Sequence, residues 1–284
     1  MSSFTIALNQ SNLVSGSTNS KYQYSFPAGG VQFGPGFEVA LQSLSMYYSW
    51  PNITASYGNN SFQYSWLGVP VSVTLPDGFY TISEVNSFLQ SVMVSNSQYL
   101  IDSAGNYVYF LEITTNSSLY AVQLNAYPIP TSTQAAAHGY TAPTGWAGYP
   151  VSATTPQFII PSTTLQNIFG IAAGTYPSAT QSTTYSKTSS FTPQVSPVSS
   201  VYVLCSLVNN RYGLPQNIIY NFSPNVSYGS QIVIQPPYPS YSSVQQGSYV
   251  SLSVQFVDQS FQPLNILDSN VSVLLSIKEP SKQM

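Results

Sequence analysis

The chain has 284 residues, of which 43% are hydrophobic, 14% are aromatic and only 5% are charged. Such a chain is long enough to bury a large core, and its many aromatic residues and low net charge exclude an intrinsically disordered protein. The net charge is −3, and the basic residues Lys21, Lys187, Arg211, Lys278 and Lys282 are scattered, so we predict no direct binding to nucleic acid.

The first residues, "MSSFTIALNQSN", contain neither a basic start nor a long apolar core. We therefore expect no secretory signal peptide. No stretch of the chain approaches 18 consecutive apolar residues, and so no membrane span is predicted.

Apolar and polar residues alternate in short segments along the whole chain, which predicts many short strands separated by turns. In chain order the predicted strands are "KYQYSF", "FEVALQSLSMYYSW", "NNSFQYSW", "VPVSVTL", the hairpin "YLIDSAGNYVYFLEI", "SLYAVQLNAY", "SSVYVLCSLV", "NIIYNF", "QIVIQ", "GSYVSLSVQFVD" and "NVSVLLSIK". A count of about eight main strands with few helices favours an all-β antiparallel sandwich, jelly roll or barrel.

One helix is predicted in "TISEVNSFLQSVMVSN", where Thr81 and Glu84 have the spacing of a capping box. Its buried face is expected to carry Val85, Phe88, Leu89 and Val92, which follow helical periodicity. A second, short helix is predicted in "STTLQNIFG", with Ser162 as its N-cap and Gly170 as its stop.

The stretch from about residue 127 to 200 is rich in Pro, Ser, Thr and Gly. We interpret it as a loop-rich insertion around the short helix and not as a linker, because the strands after it complete the count begun before it. The whole chain, 1–284, is therefore predicted to form a single domain.

The link between the last two predicted strands is long and carries Leu264, Ile266 and Leu267, whereas a simple hairpin uses a tight polar turn. In a jelly roll the last two strands lie in different sheets, and the link between them caps the core. We therefore predict that these strands belong to different sheets. Inward rows are expected at Val250, Leu252, Val254 and Phe256 and at Val271, Val273, Leu275 and Ile277.

Residues that could carry chemistry are few. A nucleophilic triad would need the one histidine, His138, which lies in a low-complexity loop, and the sequence has no Gly-x-Ser-x-Gly elbow. The one cysteine, Cys205, lies in an apolar strand and is expected to be buried. One His and one Cys are too few for a zinc site, and neither a P-loop nor a calcium loop is present. We predict no catalytic residue, no cofactor, no metal site and no enzyme activity.

The low charge content is the most unusual feature of the sequence, since an average domain has about 25% charged residues. A surface with so few charges is poorly protected against association, which indicates that partners cover much of it; an uncharged secreted domain is the alternative. The aromatic clusters "YPSYSS" and "HGYTAPTGWAGY" suit sugar stacking, loop packing or a seam between subunits. The low charge favours the seam.

Several stretches together resemble the penton (minor capsid) proteins of virophages, Polinton-like viruses and related large eukaryotic DNA viruses. They are "VALQSLSMYYSWPNITASYGNNSFQYSW", "LPDGFYTISEVNSFLQSVM", "FIIPSTTLQNIFGIAAGTYP", "SPVSSVYVLCSLVNNRYGLPQNIIYNF" and "PLNILDSNVSVLLSIKE", which cover more than half of the chain in order.

This resemblance implies a single jelly-roll β-sandwich of two antiparallel sheets, with one or two short helices and long loops. It implies a structural capsid protein that forms homopentamers at the fivefold vertices of an icosahedral virion. Its partners would be trimers of a double jelly-roll major capsid protein and a vertex spike, and assembly would take place inside the host cell. The family supplies no catalytic residues.

The alternative hypothesis is a viral spike head or a lectin-like module that binds glycans through loop tyrosines. The expected absence of a signal peptide favours the penton.

Overall fold

The computed structural model describes residues 3–280 and has mostly antiparallel β-strands with few helices, as the predicted all-β class requires. Its contacts divide the chain into two compact units. Unit 1 contains the residues up to Trp50 and those from Val198 onward, and unit 2 contains Pro51–Pro197.

Twenty strands occur in residues 3–280. They are β1 (Ser3–Leu8), β2 (Lys21–Ser25), β3 (Val31–Phe33), β4 (Glu38–Tyr47), β5 (Ser61–Trp66), β6 (Val69–Thr74), β7 (Leu100–Ile101), β8 (Tyr107–Val108), β9 (Leu111–Asn116), β10 (Ala121–Ala126), β11 (Gln157–Ile160), β12 (Gly174–Tyr176), β13 (Tyr185–Thr188), β14 (Val201–Cys205), β15 (Ile218–Phe222), β16 (Gln231–Ile234), β17 (Ser242–Ser243), β18 (Gly247–Tyr249), β19 (Ser251–Val257) and β20 (Ser272–Lys278). The α-helices are α1 (Ile82–Ser95), α2 (Ser132–Ala137) and α3 (Leu165–Phe169), and single 3-10 turns lie at Gln10–Asn12, Pro27–Gly29, Ala55–Tyr57 and Ser117–Leu119.

Unit 1 is built mainly from a five-stranded sheet and a four-stranded sheet. The first sheet has the order β1-β20-β4-β16, with β17 also paired to β4, and the second sheet has the order β15-β14-β19-β2. All of these pairs are antiparallel. Strand β4 contacts β15 and β1 contacts β2, so the two sheets lie against each other. A further pair, β3 and β18, completes the unit.

Alternating side chains explain why each sheet buries one face. On β20, Val273, Leu275 and Ile277 are buried, and on β19, Leu252, Val254 and Phe256 are buried. Both inward rows were predicted from the period-two pattern. The exception is Val250, which lies between β18 and β19 and is exposed because the regular alternation begins only at Ser251.

The last two strands lie in different sheets, as predicted, with β19 in the second and β20 in the first. In the connection between them Leu264 and Ile266 are buried, whereas Leu267 is 55% exposed, so the prediction that it caps the core is wrong. The connection is bonded to the loop before β2. The Ile266 N–H donates to the Thr18 carbonyl at 3.0 Å, and the Asn19 amide donates to the Ile266 carbonyl at 2.8 Å.

Unit 2 has its own hydrophobic core, which runs from Ile53 to Ile171. Its sheets have the orders β12-β11-β5-β6 and β13-β10-β9, with a small hairpin of β7 and β8. This hairpin lies within the segment "YLIDSAGNYVYFLEI", for which a hairpin was predicted. The predicted helix is confirmed as α1, with the Thr81–Glu84 capping box and buried Val85 and Leu89, while Phe88 and Val92 are partly buried.

The other helices differ from the prediction in detail. Helix α3 ends at Gly170 in a left-handed conformation, as predicted. A Cβ at this position would lie 2.2 Å from the Phe191 carbonyl oxygen, so only glycine fits. Its N-cap is Thr164 and not Ser162. Helix α2 was not predicted, because Thr131 and Gln134 form a capping box without an acidic residue in a stretch that resembles a loop.

The predicted two sheets and about eight strands are too few for the whole chain: residues 3–280 contain six sheets. Two main sheets of about eight strands occur in unit 1 alone. The strands of unit 2 pair only with one another in residues 3–280 and form separate sheets. In the stretch 127–200 the structure places α2, β11, α3, β12 and β13. The single domain over 1–284 stays a prediction.

Leu264→Ala should lower the free energy of unfolding by about 2–5 kcal/mol, because it removes a fully buried side chain and leaves a cavity. Leu267→Ala, a matched change three residues away, should alter it by less than about 0.5 kcal/mol, because this side chain is exposed. Urea unfolding followed by circular dichroism measures both. Equal losses in the two variants would contradict the buried cap.

Candidate interaction surfaces

Cys205 and His138, the residues considered above for nucleophilic catalysis, belong to different units of the chain. Cys205 is fully buried in β14 of unit 1, and burial raises the pKa of its thiol to about 11. His138 follows α2 in unit 2, is exposed, and stacks on Tyr140 with ring centroids 5.3 Å apart. The predicted burial of the cysteine is confirmed.

Several carboxylates serve as acceptors in turns and caps. Asp77 accepts from the Thr54 hydroxyl at 2.7 Å and from the Ala55 N–H at 2.8 Å, and these bonds lower the pKa of its carboxyl. The backbone N–H and hydroxyl of Thr81 lower the pKa of Glu84, and the side chain and N–H of Asn106 lower that of Asp102. A general acid needs a raised pKa, so these three groups are suited to structure and not to acid catalysis.

Residues 3–280 contain no group of three or more His, Cys, Asp or Glu that could hold a metal ion. Each helix in the same residues is too short or too polar to cross a lipid bilayer. The absence of catalytic, cofactor and metal sites, and of enzyme activity, stays a prediction.

The outer faces of the two sheets in unit 1 are almost free of charge. The outer face of the first sheet, named here face 1, consists mainly of small, hydroxyl and aliphatic side chains: Thr5, Ala7, Ser43, Ser45, Gln231, Val233, Ser272, Leu274 and Ser276. The outer face of the second sheet, named face 2, consists of Gln23, Ser25, Tyr202, Leu204, Ile218, Asn221, Ser251, Ser253 and Gln255.

The few charges on these sheets lie at their margins. In the first sheet they are Glu38 and Lys278, which stand opposite each other at one end of β4 and β20. The Lys278 ammonium lies 3.4 Å from the centroid of the Tyr241 ring, a cation–π contact. In the second sheet the one charged residue is Lys21, at the start of β2. Lys187 belongs to unit 2, and Lys282 lies outside the described residues.

Face 1 ends at an edge strand with an exposed aliphatic side chain. Strand β16 pairs with β4 on one side only, and Val233 on it is 66% exposed. The following segment carries Pro236 and Pro237 and then Tyr238, which is 89% exposed. Prolines beside an edge strand limit uncontrolled strand pairing, so this edge favours contact through side chains.

The two aromatic clusters of the sequence have different roles. In "HGYTAPTGWAGY", Trp146 packs against Trp66 and Tyr149 beside the core of unit 2, which agrees with loop packing. In "YPSYSS", Tyr238 is exposed and Tyr241 lines a cleft in unit 1.

This cleft, named here the Arg211 cleft, has a volume of about 680 Å³. It is formed by Pro35, Asn209–Tyr212 and Tyr241–Gln246, all within unit 1. Its walls come from the β3–β4, β14–β15 and β16–β19 connections, which lie at the same end of the sheets. The chain leaves unit 1 at Trp50, after the opposite end of β4. The sequence did not predict this cleft, because the segment "VNNRYGLPQN" has the composition of an ordinary turn.

Comparisons with known proteins give similarity in structure alone, as no family model and no curated protein matches the sequence. The chain is similar to the mavirus penton protein, with 9% identity, a TM-score of 0.44 and coverage of 98% of each chain. It is also similar to a chain in the structure of the Sputnik virophage, with 12% identity, a TM-score of 0.38 and coverage of 97% of this chain and 96% of the other. The first name agrees with the family that the sequence stretches resemble.

The Cys205 thiol should not react with Ellman's reagent at pH 8 in the folded protein. With a pKa of about 11, only about a thousandth of it is thiolate at this pH, and the reagent has no access to a fully buried sulfur. In guanidinium chloride one thiol per chain should react. Rapid reaction of the native protein would show that β14 is not buried as described.

Proposed function

We propose that this chain is a structural viral capsid protein, a penton whose homopentamers close the fivefold vertices of an icosahedral capsid. The observation that carries this proposal is the strand order of unit 1. The nearly uncharged outer faces of its two sheets support the assembly that the proposal requires.

The strand order of unit 1 supports the jelly roll in this proposal. Eight strands in chain order are β1, β2, β4, β14, β15, β16, β19 and β20. The first pairs with the last, the second with the seventh, the third with the sixth and the fourth with the fifth. This is one long antiparallel hairpin rolled into two sheets, the architecture found in viral capsid and lectin domains.

Unit 2 is then an insertion into the third connection of the jelly roll, between β4 and β14. We propose that residues 1–284 act as one capsid domain with this insertion. The inserted part extends over Pro51–Pro197, which is longer than the 127–200 predicted from composition.

A ring of five copies needs two different surfaces on each copy, because each subunit meets the next in a head-to-tail manner. We assign face 1 and face 2 to this pair, since they differ in side chains but share the lack of charge. Obligate interfaces are large, often about 2,000 Å² or more, and depleted in charged residues at their centre. Burial of both faces would account for a charge content of 5%.

The proposed position at a capsid vertex implies further partners for the pentamer. A vertex ring would be surrounded by trimers of a double jelly-roll major capsid protein and would offer its loops to a vertex spike. We propose the virion vertex as the location and the host cell as the place of assembly.

The second candidate is a viral spike head or a lectin-like module. The Arg211 cleft supports it, because the cleft is polar, is lined by tyrosines and lies between the loops of a rolled β-sandwich, a fold that lectins also use.

Native mass spectrometry of the purified chain, alone and after mixing with the major capsid protein of its virus, tests the penton. We expect a species of five times 30.8 kDa. Because assembly and folding can be coupled, the mixed sample is essential. A monomer or trimer under both conditions would move the assignment to the spike or lectin-like module.

Val233→Asp places a charge on face 1 and should abolish the pentamer while leaving the monomer folded, because Val233 is already 66% exposed. Val151→Asp in unit 2 is the matched control, since Val151 is fully exposed and lies outside both faces. Sedimentation velocity measures the assembly of both variants. Pentamers of Val233→Asp as stable as those of the control would exclude face 1 from the seam.

A further inference from the structure

We propose that the Arg211 cleft is a binding site for a sugar that carries a carboxylate. This site goes beyond the capsid role and needs no pentamer. Its volume of about 680 Å³ lies in the usual range of small-molecule sites, roughly 300–1,000 Å³.

The charge of the cleft points to a carboxylate. Arg211 is the only arginine of the chain, and among residues 3–280 it is the only charged residue that lines the cleft, so no carboxylate of this lining competes for its guanidinium. A guanidinium presents a planar set of donors that matches a carboxylate in a two-point bond. One guanidinium in the lining suits a singly charged acid better than a phosphate or sulfate cluster, while the Lys278 ammonium is engaged with the Tyr241 ring.

The segment that carries Arg211 has a defined turn. The Asn210 N–H donates to the Gln216 carbonyl at 2.9 Å, and the Gly213 N–H donates to the Asn210 carbonyl at 3.1 Å. The Tyr212 N–H donates to the Asn210 side-chain oxygen at 3.1 Å. These bonds fix the backbone on both sides of Arg211, so the position from which the guanidinium reaches the cleft is set before a ligand arrives.

The remaining lining suits a sugar ring. Tyr212 is fully exposed, and Tyr241 is held in place by its contacts with Lys278 and Ser276. Tyr212 presents an apolar ring face beside a polar hydroxyl, which matches the apolar C–H face and hydroxyl rim of a sugar. The amide side chains around them, Asn209, Asn210, Gln245 and Gln246, can both donate to and accept from hydroxyl groups.

An extended peptide is a poorer match, because the backbone in the cleft wall is already bonded. Strand β17 pairs with β4 on one side. On its other side the Asn209 N–H donates to the Ser243 carbonyl, and the Gln245 N–H donates to the Leu207 carbonyl. A peptide cannot add a strand to an edge that is already paired. Recognition must therefore use side chains, as sugar binding does.

The experiment is titration of the full-length protein, by ligand-observed NMR, with two pairs of sugars that differ by a carboxylate: sialyllactose against lactose, and glucuronic acid against glucose. We expect at least one acid to bind about tenfold or more tightly than its neutral partner. Arg211→Gln should remove this preference, and Tyr212→Ala should weaken both members of the pair. Lys187→Gln, on a strand of unit 2, is the matched control for loss of a positive charge.

Equal binding of acidic and neutral sugars, no binding of any of the four, or an unchanged preference in Arg211→Gln would overturn the proposal. Tighter binding of a tripeptide with a free C-terminal carboxylate would overturn the choice of a sugar. Equal melting temperatures of the three variants and the natural chain establish that the fold is intact. The outcome is independent of pentamer formation, so failure here leaves the capsid proposal standing.

Discussion

The backbone pairing of β20 with both β1 and β4 is the interaction on which the rest of unit 1 depends. This last strand lies inside the first sheet and not at its edge, so its donors and acceptors are used on both sides. It joins residues from the two ends of the chain, and its buried row of Val273, Leu275 and Ile277 supplies part of the core. The contacts are almost all distant in sequence, which makes this fold slow to form compared with one built from local contacts.

The same pairing explains why the chain tolerates a large insertion. Strands β4 and β14 are held in position by strands other than each other. The connection between them is therefore not needed to position either strand. The entropic cost of a longer connection rises only slowly with its length. Unit 2 has its own core and its own sheets, and the contacts within it offset the entropic cost of the longer connection. The two sheets of unit 1 can therefore accommodate a second body in one connection without change to their strand order.

Local features of this structure were predictable from the sequence, whereas most long-range ones were not. Period-two segments predicted most strands of both units but missed others, such as β1, β11, β12 and β13, and the Thr81–Glu84 box predicted the start of α1, because each depends only on neighbouring residues. One long-range feature was predicted, since the apolar residues of the last connection indicated that the last two strands belong to different sheets. The division at Pro51 and Pro197 left no trace in composition, since both units use the same uncharged residues. The low charge predicted that partners cover much of the surface, but it did not indicate which faces. The Arg211 cleft was not predictable, because its lining comes from three segments that are distant in sequence.

The central position of β20 also has a consequence for the order of events during synthesis. Unit 2 is complete when Pro197 has been made, whereas the first sheet of unit 1 lacks its central strand until Ser272–Lys278 leaves the ribosome. Domains generally fold as units during synthesis, and the core of unit 2 runs from Ile53 to Ile171, so this core does not depend on the last strand. A prematurely terminated chain has no complete first sheet and hence no face 1 to offer. The fold thus acts as a check on chain length, because only a chain that reaches Lys278 can present a complete face 1.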